Sequence, residues 1–309
     1  MYIGVDIGGT KCAVILADEH GQKLSRVAFE TGNAHDTLER ICYEISKLPK
    51  SRAIGISCGG PLDETQGVIL SPPNLPGWDN IPIVQMFYDR FGIPAYLCND
   101  ANACALAEWR FGAGKGTQNM IFLTFGTGMG AGLILNGKLY CGTNGNAGEV
   151  GHMRLSNFGP VGYGKSGSFE GFCSGGGIRQ LGQMLAREQL QCGRVTSFCH
   201  SYDELEHITA KSLAEAANQG DEIAQKVWNI VSEKLGVGIS LLIDLLNPER
   251  IVLGSIYERS EHLLREGLMR VVKRESLSQS EEVCCIVPAA LGDEIGDYAA
   301  IAVAMKEGF

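Results

Sequence analysis

The chain is short of positive charge: its 309 residues include 26 Lys and Arg against 35 Asp and Glu, a formal net charge of −9. That balance excludes a general nucleic-acid surface, which needs a basic face to neutralise phosphates. No apolar run reaches the roughly 18 residues that span a bilayer, and the start, MYIGVDIGG, has neither the charged nor the apolar region of a signal peptide. A cytoplasmic protein with no membrane partner is expected. A disulfide framework is missing too. The eleven cysteines are odd in number and scattered mostly among apolar neighbours, with Cys284 and Cys285 adjacent, so most read as reduced, small core residues. What the chain does have is length for two domains with their own cores, and the expected partner is a small molecule.

The opening MYIGVDIGGTKCAVILAD reads as a strand, a glycine turn and a second strand, followed by a third strand, LSRVAFET. A helix from Asp36 to Leu48, a β run RAIGISCGG, a Pro/Gly loop from Ser71 to Trp78 and a helix from Ile83 to Phe91 come next. PAYLCND is a short buried strand that runs into the helix ANACALAEWRF, and the GAGKG after it places a domain boundary at 113/114. A second meander, NMIFLTFGTGMGAGLILNGKLY, then repeats the first. The rest reads as mainly helical, with a long helix from Ala224 to Leu246 that stops at Asn247-Pro248, a strand RIVLGS, and a closing helix DYAAIAVAMKE. Two related α/β domains, 1–113 and 114–309, are expected, with the last helix returning to pack on the first.

Glycine removes the side chain that would keep a polyphosphate from backbone N–H groups, so two glycine-tipped hairpins are candidate anion nests. In the first, Gly8 and Gly9 form the tip, Asp6 offers a carboxylate suited to Mg²⁺ held through water, and Thr10 and Lys11 add a hydroxyl and a cation. In the second, Thr124, Gly126, Thr127, Gly128 and Gly130 supply hydroxyls and bare backbone. Each hairpin alone reads first as a tight turn; the pair is what points to a phosphate-bearing ligand. Asp100, at the junction of YLCND with the following helix, is either a helix N-cap or a carboxylate held on rigid elements for proton transfer.

Taken in order, DIGGTK, NLPGW, NDANA, GTGMGAG and GEVGH resemble the motifs of a ROK-family sugar kinase, and the resemblance runs over nearly the whole chain. It implies a two-lobed actin-like ATPase (ribonuclease H-like) fold with an interlobe cleft. It also implies transfer of the γ-phosphoryl group of MgATP to a hydroxyl of a hexose, with Asp100 as general base. Asn74, Asn99, Glu149, His152 and Glu170 match positions that bind sugar hydroxyls, a task that suits amides and carboxylates. Gly254 falls at the nucleotide end. Homodimers or homotetramers are common in the family. Glucose is the first choice of substrate, with N-acetylmannosamine, fructose and β-glucosides as alternatives. The main rival from another class is a sugar-responsive repressor, since the family includes transcription regulators; those carry a helix-turn-helix ahead of the first glycine loop, which here begins at Gly4, and none is expected. A third reading, a non-DNA-binding sugar sensor with little turnover, is left open by Gly254-Ser255-Ile256.

Two departures stand out. The resemblance places three zinc-ligating cysteines in the segment that here reads Val161-Gly162-Tyr163-Gly164-Lys165-Ser166-Gly167-Ser168-Phe169-Glu170. A four-coordinate site cannot be built from His152 with Cys173 as the only nearby thiol, so no zinc is expected. Packing of Phe158, Val161, Tyr163 and Phe169 is expected to hold this loop instead. At the nucleotide end, a Gly-Gly-Gly turn is replaced by Gly254-Ser255-Ile256. A formal GxxxxGK[ST] match from Gly159 to Ser166 lacks the preceding buried strand and the following helix that a phosphate loop requires, so Lys165 reads as a solvated loop charge.

Overall fold

The computed structural model describes residues 1–305. Its first half runs β1 (Tyr2–Ile7), β2 (Lys11–Ala17), β3 (Lys23–Glu30), α1 (Ala34–Ser46), β4 (Ile54–Cys58), a small hairpin β5 (Leu62–Asp63) and β6 (Val68–Ile69), α2 (Ile83–Phe91), β7 (Ala95–Asn99) and α3 (Asp100–Phe111). The meander then recurs as β8 (Met120–Phe125), β9 (Met129–Leu135) and β10 (Lys138–Leu139), followed by a small hairpin, β11 (Val161–Gly162) and β12 (Lys165–Ser166). Helices α4 (Phe169–Phe172), α5 (Gly175–Gln191), α6 (Ala210–Asn218) and α7 (Glu222–Leu246) lead to β13 (Arg250–Leu253). The chain finishes with α8 (Ile256–Glu275), α9 (Ser278–Glu281), β14 (Cys285–Pro288) and α10 (Ile295–Ala304).

The fold is mixed α/β, with two five-stranded sheets of the same plan, ordered β3-β2-β1-β4-β7 and β10-β9-β8-β13-β14. In the first, β1 pairs antiparallel with β2 and parallel with β4, which is parallel to β7; in the second, β13 and β14 are parallel. The sequence hint of duplication thus has a topological counterpart. By compactness the chain divides into Met1–Phe122 with Gly132–Ala147 and the segment from Ala290 onward, and a second unit of Leu123–Ala131 with Gly148–Ala289. The division therefore runs through β8 and β9, where a linear reading puts one cut at 113/114.

In the first unit, β1 alternates its faces, as a strand must. Ile3, Val5 and Ile7 enter a core with Leu38, Ile41, Phe87 and Trp78. On the other face lies α10, built of small residues: Ala299, Ala300, Ala302 and Ala304 are all fully buried. Gly55 on β4 permits this approach, because a methyl group there would lie 2.2 Å from the Ala300 carbonyl oxygen and 2.1 Å from the Ala304 nitrogen. Gly55→Ala is expected to lower stability by about 3 kcal/mol, at the upper end for overpacking; urea unfolding checks this, and an unchanged midpoint would show that α10 can shift. The segment entering α10 is held by Glu108 of α3, fully buried, which accepts from the N–H groups of Ala113 (2.7 Å), Ala290 (3.0 Å) and Leu291 (2.9 Å).

The second unit is organised on α7, 25 residues long, capped by Asp221 through the N–H groups of Ile223 and Ala224 and ended by Asn247 in a left-handed conformation. Phe169 packs over Gly238 of α7, and Val271 of α8 over Gly236. Six of the eleven cysteines are buried: Cys12, Cys42, Cys58, Cys98, Cys173 and Cys199. Among the described residues no helix is long and apolar enough to cross a membrane.

Candidate active site

The candidate residues fall into two groups, one in each unit. In the first unit they gather at the carboxyl ends of β1, β4 and β7, the place where open α/β sheets bind ligands. The β1–β2 hairpin turns through Gly8, Gly9 and Thr10, with the Gly8 N–H donating to the Lys11 carbonyl (3.0 Å) and Thr31 Oγ1 to the Gly8 carbonyl (2.7 Å). Asn74 packs directly on this tip: a methyl at Gly9 would meet the Asn74 carbonyl oxygen at 2.7 Å. The turn residue and the hairpin, far apart in sequence, are therefore one structure.

Asp100 opens α3, and the helix cap is its neighbour. Asn99 has the extended backbone of an N-cap and its Oδ1 accepts from the Ala101 N–H (3.0 Å), which Asp100 Oδ1 also approaches (2.8 Å). The capping role weighed for Asp100 thus falls to Asn99. The exposed Asp100 carboxylate lies beside Gly59, where a methyl would be 3.7 Å from Oδ2, and the Asn99 amide nitrogen lies over Gly60 at 3.3 Å by the same measure. Glu64 accepts from the Asn99 backbone N–H (2.8 Å) and fixes the end of β7. Gly59, Gly60 and Glu64 escaped the sequence reading. The glycine pair closing a β run was the available signal; Glu64, in the β5–β6 hairpin, gave none.

Asp6 sits near the end of β1, largely buried. Burial first, then the negative charges of Asp297 and Asp100, push its pKa up to about 6, with Arg26 opposing. Asp297 is itself buried at the start of α10, gripped by Arg26 Nε (2.8 and 2.9 Å) and Lys23 Nζ (2.9 Å). Gly296 lets α10 approach, since a methyl there would stand 2.6 Å from Asp6 Oδ2.

In the second unit the β8–β9 hairpin turns at Gly126-Thr127-Gly128. Thr124 Oγ1 accepts from the Gly130 N–H (2.8 Å), which braces the turn from within. Glu170, in the first turn of α4, accepts from the Met129 N–H (3.1 Å) and would crowd a methyl at Gly128 (2.9 Å). It therefore belongs to the hairpin as much as to any sugar site. Glu149 stands at the N-cap of, and His152 ends, a single 3-10 turn, Val150–His152, seated against β9 through the Ala131 N–H to Gly148 carbonyl bond (2.8 Å).

Two expectations about the neighbouring loop are corrected. Lys165 is not a free loop charge: half-buried, its Nζ donates to the His152 carbonyl in an exposed contact. With Ser166 it forms β12, paired to β11, so the GxxxxGK[ST] match is a β-hairpin. The proposed apolar cluster does not form either; Phe169 is buried, but Phe158 is 84 % exposed, Tyr163 77 % and Val161 48 %. The two-stranded hairpin holds Val161 and Tyr163 on its outer edge and turn. Cys173 is buried with its thiol directed at the Val231 carbonyl (3.8 Å), and among the described residues no cluster of His, Cys, Asp and Glu is placed to hold a metal ion.

At the nucleotide end the Gly254 N–H is taken by the Leu123 carbonyl (3.1 Å) and Gly254 is buried. The surface of that corner is Ser255, at φ 52 and ψ −99, with its Oγ 3.7 Å from a methyl placed on Gly126. Such a backbone suits glycine and strains any other residue by about 1–3 kcal/mol. Ser255→Gly is accordingly expected to raise stability by about 1 kcal/mol after the entropic penalty of glycine; a lower melting temperature would show that the hydroxyl outweighs the strain.

Two sheets of one plan, each with a glycine-tipped hairpin, and acidic side chains at the strand ends of the first, fit the two-lobed actin-like ATPase fold of ROK sugar kinases. The sequence model of the ROK family matches residues 2–307, and the chain belongs to that family. It is similar to a glucokinase of Thermotoga maritima, 33 % identical over 85 % of this chain and 84 % of the relative. It also resembles a xylose repressor of Caldicellulosiruptor bescii, 29 % identical over 89 % and 70 %. Its fold matches the crystal structure of a ROK family glucokinase from Streptomyces griseus in complex with glucose and AMPPNP, with TM-score 0.74 and 30 % identity, covering 98 % of this chain and 97 % of the other.

Proposed function

We propose that this sugar kinase transfers the γ-phosphoryl group of MgATP to a hydroxyl of a hexose, glucose first, with Asp100 as the general base. The observation that carries the reading is that Asp100 stands at a strand end, exposed and with the capping duty taken by Asn99. The sugar hydroxyl gives its proton to Asp100 as its oxygen bonds to the γ-phosphorus; the bond from that phosphorus to the β–γ bridging oxygen breaks, and ADP leaves. Asn74, Asn99, Glu149, His152 and Glu170 are assigned to the sugar hydroxyls by their match to the family's motifs. The tips Gly8-Gly9-Thr10-Lys11 and Gly126-Thr127-Gly128, with Thr124 and Gly130 bracing the second, are assigned to phosphates. Gly254 supports this end through its bond to Leu123, and Ser255 provides the surface.

Magnesium is the metal this chemistry calls for, and Asp6 fits it. It is a mostly buried carboxylate with Asp297 and Asp100 for neighbours, its pKa lifted to about 6 because Arg26, which bonds Asp297, only partly opposes burial and the acidic neighbours. Asp6 would hold the ion through water, and the bound ion would neutralise charge on the β- and γ-phosphates.

The test is ADP release over a panel of monosaccharides, acetamido sugars and β-glucosides, with the phosphorylated position determined for the best. ADP release dependent on one hexose supports the reading. Sugar binding with no ADP release from any of them would favour a sensor, the reading to which similarity to a xylose repressor lends support.

A further inference from the structure

We infer that Tyr163 is a positioning residue for the sugar site: a left-handed backbone places its ring against the imidazole of His152 and limits the orientations that imidazole adopts. The inference rests on the assignment of His152 to the sugar.

The β11–β12 hairpin pairs Val161 with Ser166 and Gly162 with Lys165, leaving Tyr163-Gly164 as its two-residue turn. Both turn residues have positive φ, 45 and 75, the geometry of a turn that favours Asn-Gly and penalises a bulky side chain in the first place. Burial does not explain the tyrosine, which is 77 % exposed. Its ring has another partner: the centroids of Tyr163 and His152 are 5.3 Å apart and their planes stand at 88°. That is the edge-to-face geometry aromatic rings prefer.

The far side of the same turn reaches the same residue, because Lys165 Nζ donates to the His152 carbonyl oxygen. The hairpin is thus attached to His152 twice, once at the backbone and once at the ring. His152 needs that support. It ends a single 3-10 turn that has no side-chain cap, and the residue is exposed. An imidazole left to rotate freely must be ordered by each sugar that binds, and ordering one side chain in advance raises affinity without adding a contact to the ligand. The strained, exposed tyrosine gains nothing for the core and acts on one side chain of the site.

Four proteins test this beside the wild type: Tyr163→Asn, which suits the turn and lacks the ring; Tyr163→Phe, which keeps the ring; His152→Ala; and the double variant His152→Ala/Tyr163→Asn. The measurements are calorimetric Kd for D-glucose, or for whichever sugar of the panel turns over best, and KM and kcat at saturating MgATP. Tyr163→Asn is expected to raise the sugar Kd and KM about three- to tenfold, the range of an aromatic pair. It should leave kcat and the KM for ATP unchanged and not lower the melting temperature. Tyr163→Phe should match the wild type, and in the His152→Ala background Tyr163→Asn should add nothing. An unchanged sugar affinity in Tyr163→Asn, or a full effect persisting without His152, overturns the inference. If His152→Ala itself leaves sugar affinity unchanged, the assignment of His152 fails, and the inference with it.

Discussion

Asp100→Asn is expected to lower turnover by about two to four orders of magnitude while sugar affinity stays within a few-fold of the wild type, the contribution of a positioned base. The amide keeps the shape and the bond to the Ala101 N–H, and loses the proton acceptor. Because Asn99 caps α3, the substitution does not remove the cap, and the melting temperature should hardly move. This separates the two roles open to an aspartate at the start of a helix. A cap residue changed to Asn loses neither stability nor activity, since Asn caps as well as Asp. Near wild-type turnover in a variant that binds sugar normally would remove Asp100 from the chemistry.

Asp6→Asn is expected to do two opposite things: nearly abolish phosphoryl transfer and make the protein more stable. The carboxyl group's pKa rises from its ordinary 3.8 to about 6, chiefly through burial. A raised pKa in an acid means that the folded state prefers the protonated form, so the group favours folding fully below pH 3.8 and loses that contribution as pH rises through about 6. At roughly 1.4 kcal/mol per pH unit, the ionised group costs up to about 3 kcal/mol at neutral pH. Asparagine never ionises and avoids this cost. The stability difference between variant and wild type should therefore be largest above pH 6 and vanish below about pH 4, in urea unfolding without nucleotide or metal. If Asp6→Asn is no more stable than the wild type at pH 7.5, the carboxylate is compensated within the protein and is poorly suited to a cation. The charge network around it shows why compensation is incomplete: Arg26 and Lys23 bond Asp297, not Asp6.

The hairpins could be read from sequence because each sets two apolar β runs on either side of a glycine-rich tip that reads as a turn. Helix α2 was legible to the residue, since Gly92 with φ 65 ends it at Phe91. Helix α1 starts two residues before the expected Asp36, because Asn33 caps it by accepting from the Asp36 N–H. Helix α5 was hidden by its opening Gly175-Gly176-Gly177, poor helix formers that here follow a Ser174 cap and precede the buried Leu181 and Leu185. The site was legible where a motif marked it and opaque where a role depends on long-range approach. Nothing local announces that Glu64 holds Asn99, that Asp297 and Gly296 border Asp6, or that Tyr163 meets His152. Those are properties of the assembled chain.

The return of α10 to the face of β1 and β4 also bears on how the protein is made. The first sheet leaves the ribosome early, yet one of its faces, shaped by Gly4 and Gly55 to receive Ala300 and Ala304, has no cover until α10 is synthesised almost two hundred residues after α3. At about 5–20 residues per second, that is a wait of roughly 10–40 s. Through that interval the nascent β-sheet offers a bare face whose glycines are shaped to the small residues of α10. Glu108 in α3, which accepts from the N–H groups of Ala290 and Leu291, is one point at which late-made chain meets early-made chain.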